Sequence, residues 1–497
     1  MIQELLINTN FSENRVAIVE DRTLSEIYIE HQNRRGSVGN IYLGTVVRVL
    51  AGMQACFVDI GQDRTAFLHI DDMQKQSSTS VTATKPQKPI EQQVYEGLRI
   101  LVQVIKDPLG SKGARLTTNI SLPSRYLVYL PFGENNAISS RIDGEERERL
   151  KQSLSQISHQ VKLQGGLIAR TAAENISYQK LEADVYYLLQ LWKTVQARRL
   201  NVNKKHKFAL IYQDLSLPLR AIRDFFGENT ERVLIDNLQV FTEVQCFCKE
   251  FMPQILPKLH LYQDKTPLFD LYQVENALKN ALNRRVDLQS GGYLMIDQTE
   301  AMTTIDVNTG SFVSGRSQEE TIYTTNLEAT HAIAHQLRLR NLGGIIILDF
   351  IDMTEQIHRD NVLENLKQQL KKDYAKTSLS EFSSLGLVEM TRKRTRESLQ
   401  QKLCKPCSSC EGKGFVKSSK TLCFEIFREL IHSVKCAEEK ASHAPKKITV
   451  VAHDTIIHWL KTSEADTIAQ LADLLERKID WVGDNCYNQE QYNILLE

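Results

Sequence analysis

At 497 residues the chain is too long for one hydrophobic core and predicts roughly three or four domains. Its composition, 42% hydrophobic and 25% charged, is that of an ordinary globular protein, and Lys+Arg equals Asp+Glu at 61 each. The balance removes any net-charge argument for a polyanion partner, and no run of about 18 uncharged apolar residues offers a membrane span.

The opening MIQELLINTNFSENR lacks the basic start and apolar core of a secretion signal. Nine cysteines are an odd number, and outside Cys404, Cys407 and Cys410 they are scattered, which suits a reducing, cytoplasmic setting. Residues 1–38 predict short strands, with apolar runs at Val16–Val19 and Ile27–Ile29 about a turn at Glu20–Arg22. From Gly39 closely spaced β-runs punctuated by glycine suggest a small barrel. The polar stretch 74–93 predicts a flexible loop inserted in it, and the barrel resumes at Leu98–Ile105. Phe57 and Phe67, followed by Lys106, Lys112 and Arg115, are either barrel core or a stacking platform for single-stranded nucleic acid with cations beside it.

Residues 126–216 contain GGLIARTAA, where Arg170 and Thr171 close a short strand. They are a solvated loop pair or, through the planar guanidinium fork and a hydroxyl, a binding point for a terminal phosphate. Residues 217–281 read as helix, strand and helix without the spacing of a site.

The most informative stretch is Met302 to Asp352. Asp306 follows the apolar run Met302–Ile305, and Asp349 follows Ile345–Leu348, 43 positions on. A helix over Glu319–Leu342 separates them, with Ile322, Ala329, Ile333 and Leu337 on one face and Gly343-Gly344 as its stop. Strand, helix, strand predicts a βαβ unit whose strand ends are neighbours. A lone acid there is commonly a turn or cap residue, whereas two converging carboxylates can hold a divalent cation such as Mg²⁺. Asn308 projects from the same strand face as Asp306. Asp297 and Asp352 are further nearby acids.

Between Phe382 and Lys420 nine Lys/Arg stand against three Glu, a net of +6, which is a solvated linker or a phosphate-contacting block. Inside it lies C-x-x-C-x-x-C followed by EGKG. The spacing suits a zinc knuckle, with a redox pair as the rival. No second pair follows to complete four ligands, so two chains sharing one zinc is the arithmetic that closes. Residues 420–497 predict a small unit of helix, strand, helix and helix.

GNIYLGTV, FVDIG, KGARLTTNISL, ARTA, IDVNTG, NLEAT, LRLRNLGGIIILDFIDM, GLVEMTRKRTRESL and CSSCEGKG together make the chain resemble the ribonuclease E/G family over essentially its whole length. The segment GLVEMTRKRTRESL and the lack of a long C-terminal tail resemble its G type. The resemblance implies a multidomain α/β protein. Residues 1–38 and 217–281 would form an RNase H-like domain, 39–125 an OB-fold barrel, and 126–216 a 5′-sensor. Residues 282–402 would be a DNase I-like catalytic domain, 403–418 a zinc-link, and 419–497 a small C-terminal domain. It implies Asp306 and Asp349 as Mg²⁺ ligands with Asn308 assisting, and RNA contacts at Phe57, Phe67, Lys106 and Lys112. A 5′-monophosphate would sit at Arg170, Thr171 and Val128. Cys407 and Cys410 would bind a Zn²⁺ shared between protomers of a homodimer or higher oligomer, with Cys404 extra. The expected substrates are AU-rich single-stranded RNAs, namely messenger, transfer-RNA precursor and ribosomal precursor, with maturation of the 16S rRNA 5′ end among the roles. One departure is visible: an arginine that ribonuclease E offers the sensor from its catalytic domain falls at Ser384. A non-catalytic RNA-binding protein is the alternative.

Overall fold

The structure is a computed structural model that describes residues 2–31, 36–73, 89–108, 113–203, 206–227, 229–310, 318–394, 396–440 and 447–497. Most of the inserted loop expected at 74–93, and Lys112, lie outside the described residues. The chain divides into two compact units, residues 1–396 and 397–497.

Among the described residues the first unit contains four sheets. Strands Gln3–Asn10, Glu13–Glu20 and Thr23–His31 form an antiparallel meander, onto which Thr230–Ile235 and Leu259–Leu261 add in parallel. Residues from the two ends of a 230-residue span therefore share one sheet, roofed by helices Leu217–Phe225 and Leu238–Phe251 over a core that includes Leu5, Ile18, Ile222 and Val244. Between them in sequence is a closed five-stranded barrel. Its strands run Ile41–Leu50, Ala55–Asp59, Ala66–His69, Arg115–Thr117, Arg99–Lys106 and back to Ile41–Leu50. Ala209–Tyr212 adds outside on Ile41–Leu43. A four-stranded sheet follows, with Leu127–Leu130 and Gly166–Ala169 at its centre. Helix Tyr178–Asn201 covers it with Leu181, Val185, Leu188, Trp192 and Val195, a spacing of four and three that keeps one stripe inward.

The fourth sheet has six strands in the order Arg285–Asp287, Tyr293–Gln298, Met302–Asn308, Gly344–Asp349, Leu387–Arg392 and Thr377–Phe382. One face packs on helices Gln318–Leu339 and Gln356–Leu370, whose Ala329, Ile333, Leu337, Val362 and Leu366 meet Ile305, Val307, Ile346 and Leu348. The other face is open. The expected βαβ unit is present, since Met302–Asn308 and Gly344–Asp349 are parallel neighbours joined by the long helix.

Strand polarity at 377–392 is masked in the sequence by the charges of TRKRTR. The segment forms an antiparallel hairpin closing the sheet, and its arginines serve the fold. Arg392 is buried and bonded to Asp373, Arg394 donates to the Gly343 carbonyl, and Arg396 lies 3.7 Å over the Tyr28 ring. For these three, neither a solvated linker nor a phosphate patch describes the block.

The second unit is a three-stranded sheet, Ile479–Gly483, Ile448–Ala452 and Tyr492–Leu496, with helices Ser419–Lys440, Asp454–Ser463 and Ala465–Leu475. Leu422, Ile426, Leu430, Val450 and Leu460 form its core.

Candidate functional site

Strand Met302–Asn308 alternates strictly: Thr303, Ile305 and Val307 are buried, while Met302, Thr304, Asp306 and Asn308 face out. On the next strand Ile346 and Leu348 are buried and Asp349 faces out. The strands pair in parallel with Asp306 opposite Asp349, so the two carboxylates leave the sheet side by side from backbones roughly 5 Å apart. Asn308 donates from Nδ2 to Asp306 Oδ2 at 2.9 Å, which fixes the orientation of that carboxylate. The pKa of Asp349 is raised by burial first, then by the negative charges of Asp306 and Asp352.

The turns hold the strands close. A Cβ on Gly292 would lie 2.8 Å from the Asn308 carbonyl oxygen, and one on Gly310, at φ +57°, would collide with the Gly291 carbonyl oxygen. Glu328 on the long helix accepts from the backbone N–H of Gln289 and Ser290. Asn326, fully buried on the same helix, grips Ile351 twice: its Nδ2 donates to the Ile351 carbonyl at 2.8 Å, and its Oδ1 accepts from the Ile351 N–H at 3.1 Å. That clamp pins the chain two residues after Asp349. The sequence shows Asn326 only as a polar residue within a helix, since its partner is 25 positions away.

Of the other acids, Asp297 is engaged by both nitrogens of an Arg284 fork at 2.5 and 2.6 Å, and Asp352 acts on Asp349 through charge. No cluster of three or more His, Cys, Asp or Glu side chains able to hold a metal occurs among the described residues. Two adjacent carboxylates that repel each other are nonetheless a fitting donor set for Mg²⁺, which keeps several waters and often takes one or two protein carboxylates.

On the barrel, Phe57 and Phe67 are not core. They are opposite each other, half-exposed on the outer surface, with ring centroids 6.1 Å apart. His69 stacks beyond Phe67 at 6.3 Å. Strand pairing continues the row: Arg48 is opposite Phe57, Arg115 opposite Phe67, and Lys106 opposite Arg115. The result is a cation–aromatic–aromatic–cation–cation stripe across the barrel wall. Arg48 joins the stripe only through strand register, whereas His69, two residues after Phe67 on the same strand, follows from simple alternation.

Arg170 ends strand Gly166–Ala169 and shares a face with Ile168 and with Val128 of the paired strand. Its Nη1 donates to the Ser124 carbonyl at 2.7 Å and to Asp224 Oδ1 at 2.8 Å. Asp224 also holds Arg223. Burial would raise the Asp224 pKa, but Arg223 and Arg170 outweigh it and hold the carboxyl below its usual range. The exposed Thr171 hydroxyl is 3.1 Å from that of Ser139. Ser384 sits in the turn of the 377–392 hairpin and is exposed.

In the second unit Cys404 and Cys407 are exposed and Cys410 half-buried. The Cys407 thiol pKa is lowered, first by hydrogen bonding from the Cys410 backbone and then from that of Ser409. Amides aimed at one sulfur suit a metal-binding knuckle.

The sequence profile of the ribonuclease E/G family matches residues 121–395, and the chain belongs to that family. It is an endoribonuclease. Among its relatives, ribonuclease G of Escherichia coli K12 is 46% identical over the full length of both proteins. Ribonuclease G of Haemophilus influenzae is 46% identical over 99% of each. Ribonuclease E of Haemophilus influenzae is 35% identical over 95% of this chain and 49% of its own length. No described helix is long and apolar enough to cross a membrane.

Proposed function

We propose that the chain is a Mg²⁺-dependent, single-strand-specific endoribonuclease of the G type. It cuts AU-rich RNA in the maturation of the 16S rRNA 5′ end and in processing and decay of messenger and transfer-RNA precursors. The observation that carries the reading is the register pairing of Asp306 with Asp349, with Asn308 bonded to the first.

Asp306 and Asp349 would hold Mg²⁺, which when bound supplies charge neutralisation and Lewis acidity at the scissile phosphate. Asn308 keeps one carboxylate oriented, and Asn326 keeps Asp349 in register. Hydrolysis leaves a 5′-phosphate and a 3′-hydroxyl. Such chemistry needs no 2′-hydroxyl, so the choice of RNA rests on strand recognition. The barrel stripe supports that role: Phe57 and Phe67 offer stacking faces, and Lys106, with Lys112 beyond the described residues, offers charge. The barrel corresponds to the OB-fold domain, the shared five-stranded sheet to the RNase H-like domain, the Arg170 sheet to the 5′-sensor, and the six-stranded sheet to the DNase I-like domain. Val128, Arg170 and Thr171 receive a 5′-monophosphate. Cys407 and Cys410 bind Zn²⁺ jointly with a second protomer, making a cytoplasmic homodimer.

The test is cleavage of matched single-stranded RNAs bearing a 5′-monophosphate or 5′-hydroxyl, with and without Mg²⁺, by the unmutated chain and by Asp306→Asn and Asp349→Asn. Cleavage that needs Mg²⁺ and is lost in both variants is expected. Cleavage that survives in either variant, or an unmutated chain that binds RNA without cutting it, overturns the reading.

A further inference from the structure

The open face of the six-stranded sheet is acidic. Its outward strand positions carry Asp287, Asp297, Asp306, Asp349 and Glu389. A polyanion approaching two carboxylates on such a face meets repulsion over the whole surface, and a cation held at the site neutralises only its centre. Among the described strand residues facing that way, one is positively charged: Arg285, on the edge strand.

Register places it. Arg285 is opposite Met295, Met295 is opposite Asp306, and Asp306 is opposite Asp349, so the four lie in one row across the sheet. From backbone to backbone Arg285 is two strands from Asp306, roughly 10 Å. The side chain closes part of that gap. Its guanidinium carbon sits 4.0 Å over the centroid of the Tyr293 ring, on the intervening strand. Tyr293 is itself opposite Asn308. The charge is thus held inward, one strand from the Asp306–Asn308 pair, instead of extending off the sheet edge. Asp287 accepts from Arg285 Nε at 2.7 Å, which leaves the terminal nitrogens as the forward end of the fork. The neighbouring Arg284 is different, because Asp297 takes its Nε and one terminal nitrogen, so its fork is closed by a bidentate pair.

We infer that Arg285, held over Tyr293, binds the phosphodiester backbone of the RNA strand beside the scissile phosphate. It is a substrate-binding residue of the catalytic sheet, separate from the barrel stripe. The inference rests on the reading of Asp306 and Asp349 as the cleavage site. It gives Tyr293 a defined part as the platform that turns the arginine inward, since a guanidinium stacks on an aromatic face while keeping its in-plane donors free.

The experiment uses the full-length protein and a 5′-hydroxyl single-stranded RNA, so that the Arg170 region does not contribute. Cleavage is followed over a salt series, and binding is measured in chelator. Arg285→Gln should raise KM about fivefold with kcat within twofold. It should also lower the slope of log affinity against log salt by about 0.7, the value for one phosphate contact on a single strand. Arg285→Lys should keep the slope while KM still rises, because the charge remains and the stacked fork is lost. Tyr293→Leu should raise KM without changing the slope by more than half that amount. An Arg285→Gln protein with the salt slope and KM of the unmutated chain overturns the inference, and so does a fall in kcat at unchanged KM. Failure of the underlying reading looks different: the unmutated protein then cuts no RNA, or Asp349→Asn still does.

Discussion

Two charged clusters in the first unit are built in opposite ways. At Asp306 and Asp349 like charges are set side by side, and among the described residues the hydrogen bond they receive comes from the neutral Asn308. At Arg170 the charges are already matched: Asp224 holds Arg170 and Arg223, and Arg223 reaches Asp214 at 3.4 Å. The first cluster stores repulsion that the proposed Mg²⁺ would relieve. The second is already close to neutral by its own ion pairs. Uncompensated charge marks the site that depends on its ligand, whereas compensated charge marks one that the ligand only modulates.

The largest effect that tests this contrast is at Asp349. Asp349→Asn should lower cleavage roughly a thousandfold, as for loss of a group acting directly on transition-state charge. Stability should move the other way. The folded-state pKa of Asp349 is raised, so its favourable contribution is present below the ordinary carboxylate range and is lost as pH rises through the folded value. At pH 7 without divalent cation the asparagine variant should therefore melt at or about one degree above the unmutated chain, and the gap should close on acidification. Added Mg²⁺ should raise the unmutated melting temperature and leave the variant unmoved. A variant less stable at pH 7 would show that the pair is not repulsive.

Next in size is Asn326. Alanine there leaves the Ile351 N–H and carbonyl unpaired in the interior, each costing about 1–3 kcal/mol. Cleavage should fall about 10- to 100-fold through misplacement of Asp349, with the half-saturating Mg²⁺ concentration raised about tenfold. Binding of RNA to the barrel should not change. A melting-temperature drop with normal Mg²⁺ dependence would reduce Asn326 to a packing residue.

The sequence is uneven about such features. The βαβ unit was legible because apolar runs, helix periodicity and the Gly343-Gly344 stop are local signals. The adjacency of Asp306 and Asp349 followed from it. The hairpin at 377–392 was not legible, since Arg392, Arg394 and Arg396 read as a basic block until Asp373, the Gly343 carbonyl and Tyr28 are seen beneath them. Arg48 and Arg285 are invisible for another reason. Each belongs to its site by strand register, which joins residues far apart in the chain. The pairing of Arg170 with Asp224, 54 positions on, is equally non-local.

The cysteine knuckle extends the contrast to a separate unit. On the proposed zinc-link reading, Cys407 and Cys410 would supply two ligands of a cation shared with a second protomer. The unmutated protein should carry about half a zinc per chain, and Cys407→Ser with Cys410→Ser should carry almost none and run as a monomer. Sedimentation with metal analysis reads both, and a zinc-free dimer would remove the metal from the interface. Cys404→Ser should change neither value.

The smallest effect is at Asp224, and it tests the compensated cluster directly. A 5′-phosphate reaching Arg170 meets a guanidinium whose Nη1 already serves Asp224 and the Ser124 carbonyl. Ser384 adds no charge from the 377–392 hairpin. The preference of the unmutated enzyme for a 5′-monophosphate over a 5′-hydroxyl RNA, taken as the ratio of kcat/KM values, should therefore be modest, under about tenfold. Asp224→Asn keeps an oxygen for Arg170 to donate to and removes the competing charge. The ratio should rise about two- to fivefold, the scale of one half-exposed ion pair, while the hydroxyl substrate is cut as before. The reverse result is as informative. If the ratio falls to one in Asp224→Asn, the carboxylate charge is what holds Arg170 in a phosphate-binding pose. The Arg170 cluster would then depend on its built-in charges as strongly as the Asp306–Asp349 pair depends on an added one.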